Sequence, residues 1–227
     1  MSDHAPNATT RLARSLDAHC AALSACRRCE FEDPAVVPIL SPARDTRAML
    51  VGQAPGKTEV GDRRAFAGRA GKTLFRWLEA AGVEEPEFRE KVYIAAITRC
   101  YPGPSPSGRG DRVPSPRERA LCGEWLDAEL ALIRPALIIP VGRLAVDRFL
   151  GTAPLDQVIG KVHEVEHAGG ASRVIPLPHP SGASSWVNLR ANRALLDRAL
   201  ELLAHELGAL GVGRTTTRAA GSVRKSA

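Results

Sequence analysis

Four cysteines and one histidine have the types and spacing to do chemistry. Cys26-Arg27-Arg28-Cys29 is a Cys-x-x-Cys pair at the end of an expected helix. Cys100 follows an apolar run, and Cys122 falls in the first turns of another expected helix. Four thiolates gathered from element ends suit zinc or an iron–sulfur cluster. Spacing alone leaves zinc, a cluster and unrelated thiols all open. Cys20, the fifth cysteine, reads as a buried and inert residue. His179 stands in Pro178-His179-Pro180-Ser181-Gly182. The flanking prolines stiffen the loop. A histidine held there can donate to a ligand oxygen or, protonated, stabilise an anion. An ordinary rigid turn is the plainer alternative. His163 and His167 fall in an expected hairpin and are expected to face solvent.

A glycine-rich crossover must be weighed beside them. The apolar run Ala48 to Val51 leads into Gly52-Gln53-Ala54-Pro55-Gly56, then Ala65-Phe66-Ala67-Gly68-Arg69-Ala70-Gly71, then a helix expected from Lys72 to Ala81. Open α/β sheets place ligands at such crossovers. A phosphate cradle fails on counting. A P-loop needs glycine five residues before Gly-Lys-Ser/Thr. Val51 holds that place for Gly56-Lys57-Thr58, and Phe66 holds it for Gly71-Lys72-Thr73. No Gly-x-Gly-x-x-Gly occurs in the crossover either. Its proline and phenylalanine suit a stiff pocket with an aromatic wall.

The elements that would position these groups alternate. A helix is expected over Thr10 to Ala25, with Leu12, Leu16 and Leu23 on one side. Strands are expected over Arg47 to Val51, Lys91 to Thr98 and Ala136 to Val141, with further strands at Val158 to Glu166, near the sheet edge, and Arg173 to Leu177. Ser115-Pro116-Arg117-Glu118 has the cap, first-turn proline and capping-box glutamate of a helix start. Leu121, Trp125, Ala128 and Leu132 give that helix one apolar face. A short helix is expected over Gly142 to Leu150. Ser184 or Ser185 caps the last helix, with Leu189, Leu196, Leu200 and Leu203 facing inward. This order predicts a three-layer α/β/α sandwich around a mainly parallel sheet.

Composition narrows the function classes. The 227 residues are 44% hydrophobic and 25% charged, values of a globular domain. No apolar run approaches the roughly 18 residues of a membrane span, and Met1 to Arg11 lacks the apolar core of a signal peptide. A cytoplasmic protein is expected, nucleoid-associated if bacterial, with no membrane partner. Cysteines there argue against disulfides. The net charge of +6 favours polyanions. Four of those charges (Arg214, Arg218, Arg224, Lys225) sit in a tail without acids, which leaves +2 for the body. The expected organisation is a flexible residue 1–10 segment, one domain over 11–207, and a disordered basic tail over 208–227.

Taken in order, these pieces resemble the uracil-DNA glycosylase superfamily, most closely its iron–sulfur branches, families 4 and 5. Gly52-Gln53-Ala54-Pro55-Gly56 is similar to the family 4 Gly-Glu-Ala-Pro-Gly. Phe66 ahead of Gly68-Arg-Ala-Gly71 falls in register with Pro-Phe-Val-Gly. Arg99-Cys100-Tyr101-Pro102 resembles Lys-Cys-Arg-Pro, and Pro178-His179-Pro180-Ser181 the closing His-Pro motif. The resemblance spans roughly residues 20 to 205. It implies a 4Fe-4S cluster on Cys26, Cys29, Cys100 and Cys122, ahead of zinc. It also implies a monofunctional hydrolase of base excision repair that flips a nucleotide from DNA and cleaves its N-glycosidic bond. Phe66 would stack on the base, and Gly52, Ala54, Pro55 and Ala96 would line the pocket. His179 would donate to uracil O2. Pro180, Ser181, Gly182, Trp186, Arg109 and Arg112 are candidate DNA contacts, Trp186 as a wedge or as core. A monomer is expected, because one flipped base needs one pocket.

Two positions depart from the family. Gln53 stands where family 4 has a carboxylate, and an amide can orient water but cannot take its proton. Glu59 and Asp62 are other acids that could serve the water. Ala96 stands where family 4 reads uracil with asparagine, and alanine cannot separate uracil from cytosine. Other deaminated bases such as hypoxanthine or xanthine, and an inactive damage-sensing DNA-binding protein, follow as alternatives.

Overall fold

Alternating side chains decide which helix layer each strand meets. In the computed structural model, which describes residues 8–31, 36–108, 110–181 and 185–213, the strands in chain order are β1 (Ala48–Gly52), β2 (Val92–Ala96), β3 (Leu137–Pro140), β4 (His163–His167) and β5 (Gly170–Val174). They form one sheet in the order β2-β1-β3-β5-β4. The β1–β2, β1–β3 and β3–β5 pairs are parallel, and only the edge strand β4 runs antiparallel, against β5. Ala48 and Leu50 of β1 point with Ile94 and Ile139 into one core, beside Leu74, Phe88 and Leu203. Met49 and Val51 point with Tyr93 and Ile138 into the other, beside Leu16, Leu126 and Phe149. Two apolar layers on opposite faces of one sheet give the expected three-layer α/β/α sandwich.

The helices are α1 (Ala8–Ser24), α2 (Lys57–Asp62), α3 (Arg69–Ala80), α4 (Glu85–Lys91), α5 (Pro116–Ile133), α6 (Arg143–Leu150), α7 (Leu155–Val158) and α8 (Arg190–Ala209), with a 3-10 turn at Trp186–Asn188. The start of α5 is as its sequence dictates. The Glu118 N–H donates to Ser115 Oγ at 3.2 Å, and the Ser115 N–H donates back to Glu118 Oε2 at 2.7 Å.

Several expectations shift. The sheet-facing side of α5 is Leu126, Glu129, Leu130 and Ile133, one residue along from the expected stripe. Val158 ends a helix, so the edge strand begins only at His163. The 3-10 turn delays α8, leaving Leu189 in extended conformation ahead of it and 64% exposed. His163 and His167 are half-buried: one ring bonds the Val158 carbonyl and the other the Ser172 hydroxyl. Helix α1 already covers residues 8–10. At the other end the packed chain runs past 207 to Gly213, with Val212 buried and the Lys91 ammonium donating to the Gly211 carbonyl at 2.7 Å. The basic side chains of the tail, Arg109, Gly182 and Ser184 lie outside the described residues. Among the described residues no helix is long and apolar enough to cross a membrane.

Candidate active site

Parallel strands deliver their carboxyl ends to one edge of the sheet, and a cavity of about 550 Å³ opens there. Its floor is the ends of β1 and β2, where Gly52 and Ala96 are paired in register. Val141, just beyond β3, and the loop after β5 complete the far wall. Gly52, Gln53, Ala54, Pro55, Phe66, Ala96, Arg112, His179 and Ser181 all line it. Nearly every residue picked for base contact or catalysis is thus brought to one cavity.

Phe66 is held in a conformation that few side chains adopt, φ +54°. Three neighbours keep it there. The Arg89 guanidinium donates to the carbonyls of Ala65 (2.8 Å) and Phe66 (3.3 Å). Helix α3 brings Gly71 so close that a Cβ on it would lie 1.7 Å from the Phe66 carbonyl oxygen. The ring leans over the floor, where a Cβ on Gly52 would meet it at 3.0 Å. Only glycine at both positions permits this wall.

His179 is fixed on the opposite side. The Ser181 N–H donates to its Nδ1 at 3.2 Å, and the Ser181 hydroxyl lies 2.8 Å from the same atom. A backbone donor at Nδ1 makes that nitrogen an acceptor, so in the neutral ring the proton sits on Nε2. Burial pushes the imidazole below its ordinary value, which keeps it neutral at neutral pH. Gly142, at φ +85°, clears space for the ring; a Cβ there would stand 2.9 Å from His179 Cδ2.

The acids separate into different roles. Glu59 is buried, and both carboxylate oxygens are occupied, by the N–H groups of Gly56 (2.9 Å) and Gly68 (3.0 Å). It staples the two glycine-rich segments together, and the Gly-x-x-Glu spacing of a capping box was its sequence signal. Asp62 is exposed at the end of α2 and lies outside the cavity. Asp111, which sequence reasoning passed over, lines the cavity.

Two candidate DNA contacts are engaged within the protein. Arg112 forks onto Glu118 at 2.8 and 2.6 Å, and this pairing first of all pulls the Glu118 carboxyl down to about 2. Trp186 rests half-buried on the core and does not reach the cavity. Pro180 is buried beside His179. Lys57 and Arg69, which the motifs did not single out, are exposed at the cavity rim and form no ion pair among the described residues.

The four singled-out thiols line a second, smaller cavity behind the first. Arg28 ties the Cys-x-x-Cys segment to α5 by bonding Glu124 at 2.5 Å and stacking over Trp125 at 5.0 Å. Burial, then the neighbouring Cys122, Cys29 and Cys26, push the Cys100 thiol up to about 12. The Arg99 N–H donates to Cys122 Sγ at 3.3 Å. Among the described residues no three Cys, His, Asp or Glu side chains are gathered around a single ion-sized point. Cys20 is buried elsewhere, its sulfur 3.8 Å from the Tyr93 hydroxyl.

Between the cavities lies Arg99, which lines both and is buried. Its guanidinium pairs with Glu129, which also accepts from the Tyr93 hydroxyl at 2.9 Å and faces His19 Nε2 at 3.2 Å. Burial alone would raise the Glu129 carboxyl. Arg99, with His19 and Tyr93, holds it below its ordinary value instead.

The family model of the Uracil DNA glycosylase superfamily matches residues 38–204, which contain both cavities' walls apart from the part of the thiol cavity contributed by Leu23 to Val36. The chain belongs to this superfamily. It is similar to the Type-4 uracil-DNA glycosylase of Thermotoga maritima, 34% identical over 137 residues, covering 60% of this chain and 66% of that protein. The Type-4 enzyme of Archaeoglobus fulgidus is 33% identical over 183 residues, 78% of this chain and 86% of the relative. A Type-5 uracil-DNA glycosylase of Pyrobaculum aerophilum is 29% identical over 171 residues, 70% of each.

Proposed function

We propose that this protein is a monofunctional DNA glycosylase that hydrolyses the bond between uracil and deoxyribose and leaves an abasic site. The observation that carries the proposal is the pairing across one cavity of a stacking wall, Phe66, with a neutral His179 whose Nδ1 is engaged and whose Nε2–H has no hydrogen-bond partner among the described residues. A base inside a duplex is out of reach, so the nucleotide must flip into the cavity. Phe66 then stacks on it, while Gly52 and Pro55 let backbone approach its edge. As the glycosidic bond breaks, its electron pair moves onto the base. The Nε2–H of His179 donates to O2, where that charge develops, from a loop that needs little reorganisation. Lys57 and Arg69 at the rim, with Ser181, are suited to the flanking phosphates. The protein acts as a monomer in this reading.

We assign the thiols to a 4Fe-4S cluster ahead of zinc. All four line one cavity behind the pocket, which supports a single group held by the four together. A backbone N–H on Cys122 Sγ is the kind of bond that tunes cluster thiolates. Cys26, Cys29, Cys100 and Cys122 would hold it. When bound, it would cross-link the end of α1, the segment after β2 and the start of α5; the reacting carbon needs no redox chemistry from it.

A second reading concerns breadth. Ala96 offers the base no side-chain hydrogen bond from β2, so xanthine or hypoxanthine could also be accepted. Purified protein incubated with oligonucleotides carrying one uracil, hypoxanthine or xanthine, followed by alkali, tests both readings. Strand breaks at uracil are expected. Breaks at the purines as well would establish breadth. DNA binding without breaks at any base would replace the glycosylase reading with a damage sensor. A brown protein with broad visible absorbance is expected for the cluster, and a colourless zinc protein would overturn that assignment.

A further inference from the structure

If the chain hydrolyses a glycosidic bond, some group must handle the water, and Gln53 cannot take a proton. The carboxylates that line the pocket among the described residues are Glu59 and Asp111. Glu59 is excluded by its hydrogen bonds. Both oxygens are spent on the N–H groups of Gly56 and Gly68, and the side chain is buried beneath the loop. Asp111 differs in having the Tyr101 hydroxyl as a side-chain partner instead of two backbone N–H groups, and in its exposure. It is exposed, so water reaches it. Its Oδ2 lies over the first glycine-rich segment, 2.9 Å from where a Cβ on Gly56 would stand. A glycine at 56 therefore lets this carboxylate come close to the backbone of the Gln53–Gly56 segment on the pocket wall.

The backbone under Asp111 is fixed. Residues 103–108 and 110–112 fold back on each other, with the Arg112 N–H donating to Gly103 at 3.0 Å, the Ser105 N–H to Gly110 at 2.9 Å, and Pro104 bridged to Asp111. The neighbouring Arg112 is held by its fork onto Glu118, so its charge is directed away from Asp111. A carboxylate on a pinned hairpin, facing an open pocket, is equipped to hold a water and take its proton.

We propose that Asp111 orients and deprotonates the attacking water, in the role that a carboxylate at position 53 would otherwise fill. The proposal rests on the glycosylase reading. In the step, the C1′–N bond breaks with its electron pair going to the base. The water oxygen bonds C1′, and its proton passes to the Asp111 carboxylate and then to solvent.

The test uses single-turnover cleavage of a duplex with one uracil. Binding is measured separately, on a duplex whose 2′-fluorinated deoxyuridine resists cleavage. Asp111→Asn should lower the cleavage rate by about 10²- to 10⁴-fold, the usual worth of a general base, with binding and unfolding unchanged. Asp62→Asn should match wild type. Formate should restore part of the rate to Asp111→Ala, a rescue that a merely structural role would not give, and Gln53→Glu should raise the rate of Asp111→Asn by a far larger factor than that of wild type. A wild-type rate in Asp111→Asn, or a loss that follows weakened binding and resists both rescues, overturns the role of Asp111. If wild-type protein cleaves no base at all, the glycosylase reading itself fails, and this role with it.

Discussion

The two cavities on either side of Arg99 are built by opposite means. The pocket is shaped by backbone: glycines at 52, 71 and 142, a left-handed Phe66, and N–H groups stapled by Glu59. The region behind it is held by side-chain charge, with four thiols above a buried Arg99–Glu129 pair and its Tyr93 and His19 partners. Backbone shaping leaves side chains free for a ligand, so changes in the pocket should cost activity more than stability. A desolvated charge network has no such slack, so changes behind it should cost stability first.

The largest expected effect probes the second half of that contrast. Glu129→Ala strands a buried guanidinium and should destabilise the fold by about 3–5 kcal/mol, read as a lowered urea midpoint at unchanged slope. An unshifted midpoint would break the contrast outright. Next comes the pocket. His179→Ala should lower uracil cleavage by about 10²- to 10³-fold, the worth of one donor to a developing anion, with unfolding unmoved; full excision by this variant would remove the role given to His179.

Smaller effects sharpen the comparison. Ala96→Asn places a polar side chain beside Gly52 and should raise the preference for uracil over other bases by roughly tenfold, the worth of one buried hydrogen bond. Competition between uracil and xanthine duplexes measures it. The smallest effect concerns Glu118, whose carboxyl is drawn down from an ordinary 4.5 to about 2 by Arg112 and the α5 cap. A depressed carboxyl contributes its stability above the ordinary value and loses it as pH falls through the depressed one. Melting temperature of the wild type should therefore drop between pH 4.5 and about 2. Glu118→Gln should flatten that part of the profile.

What could be read from sequence follows the same divide. The pocket was legible because its parts are local words: Gly52 to Gly56, Phe66 to Gly71, Pro178 to Ser181. The start of α5 was legible because a capping box is complete within four residues. Its buried face was not, because an apolar count skips Glu129, which is buried through partners up to 110 residues away in sequence. Leu121 and Trp125 do form an apolar stripe, but it faces the thiols, about 100° round the helix from the side that meets the sheet. Asp111 escaped notice because nothing near it in sequence marks it; only the folded hairpin carries it over Gly56. Trp186, read as a wedge or as core, rests half-buried against the core, while Leu189, expected to face inward, is exposed.

Glu118 and Cys122 lie one turn apart on α5, and Glu118 also grips Arg112, the neighbour of Asp111. The first two turns of that helix therefore act as a common axle for the thiol cavity and for the hairpin over the pocket. Fraying of these turns would swing a thiol and the pocket's carboxylate together, so amide exchange in α5's first two turns and in residues 103–108 and 110–112 should rise and fall as one cooperative unit.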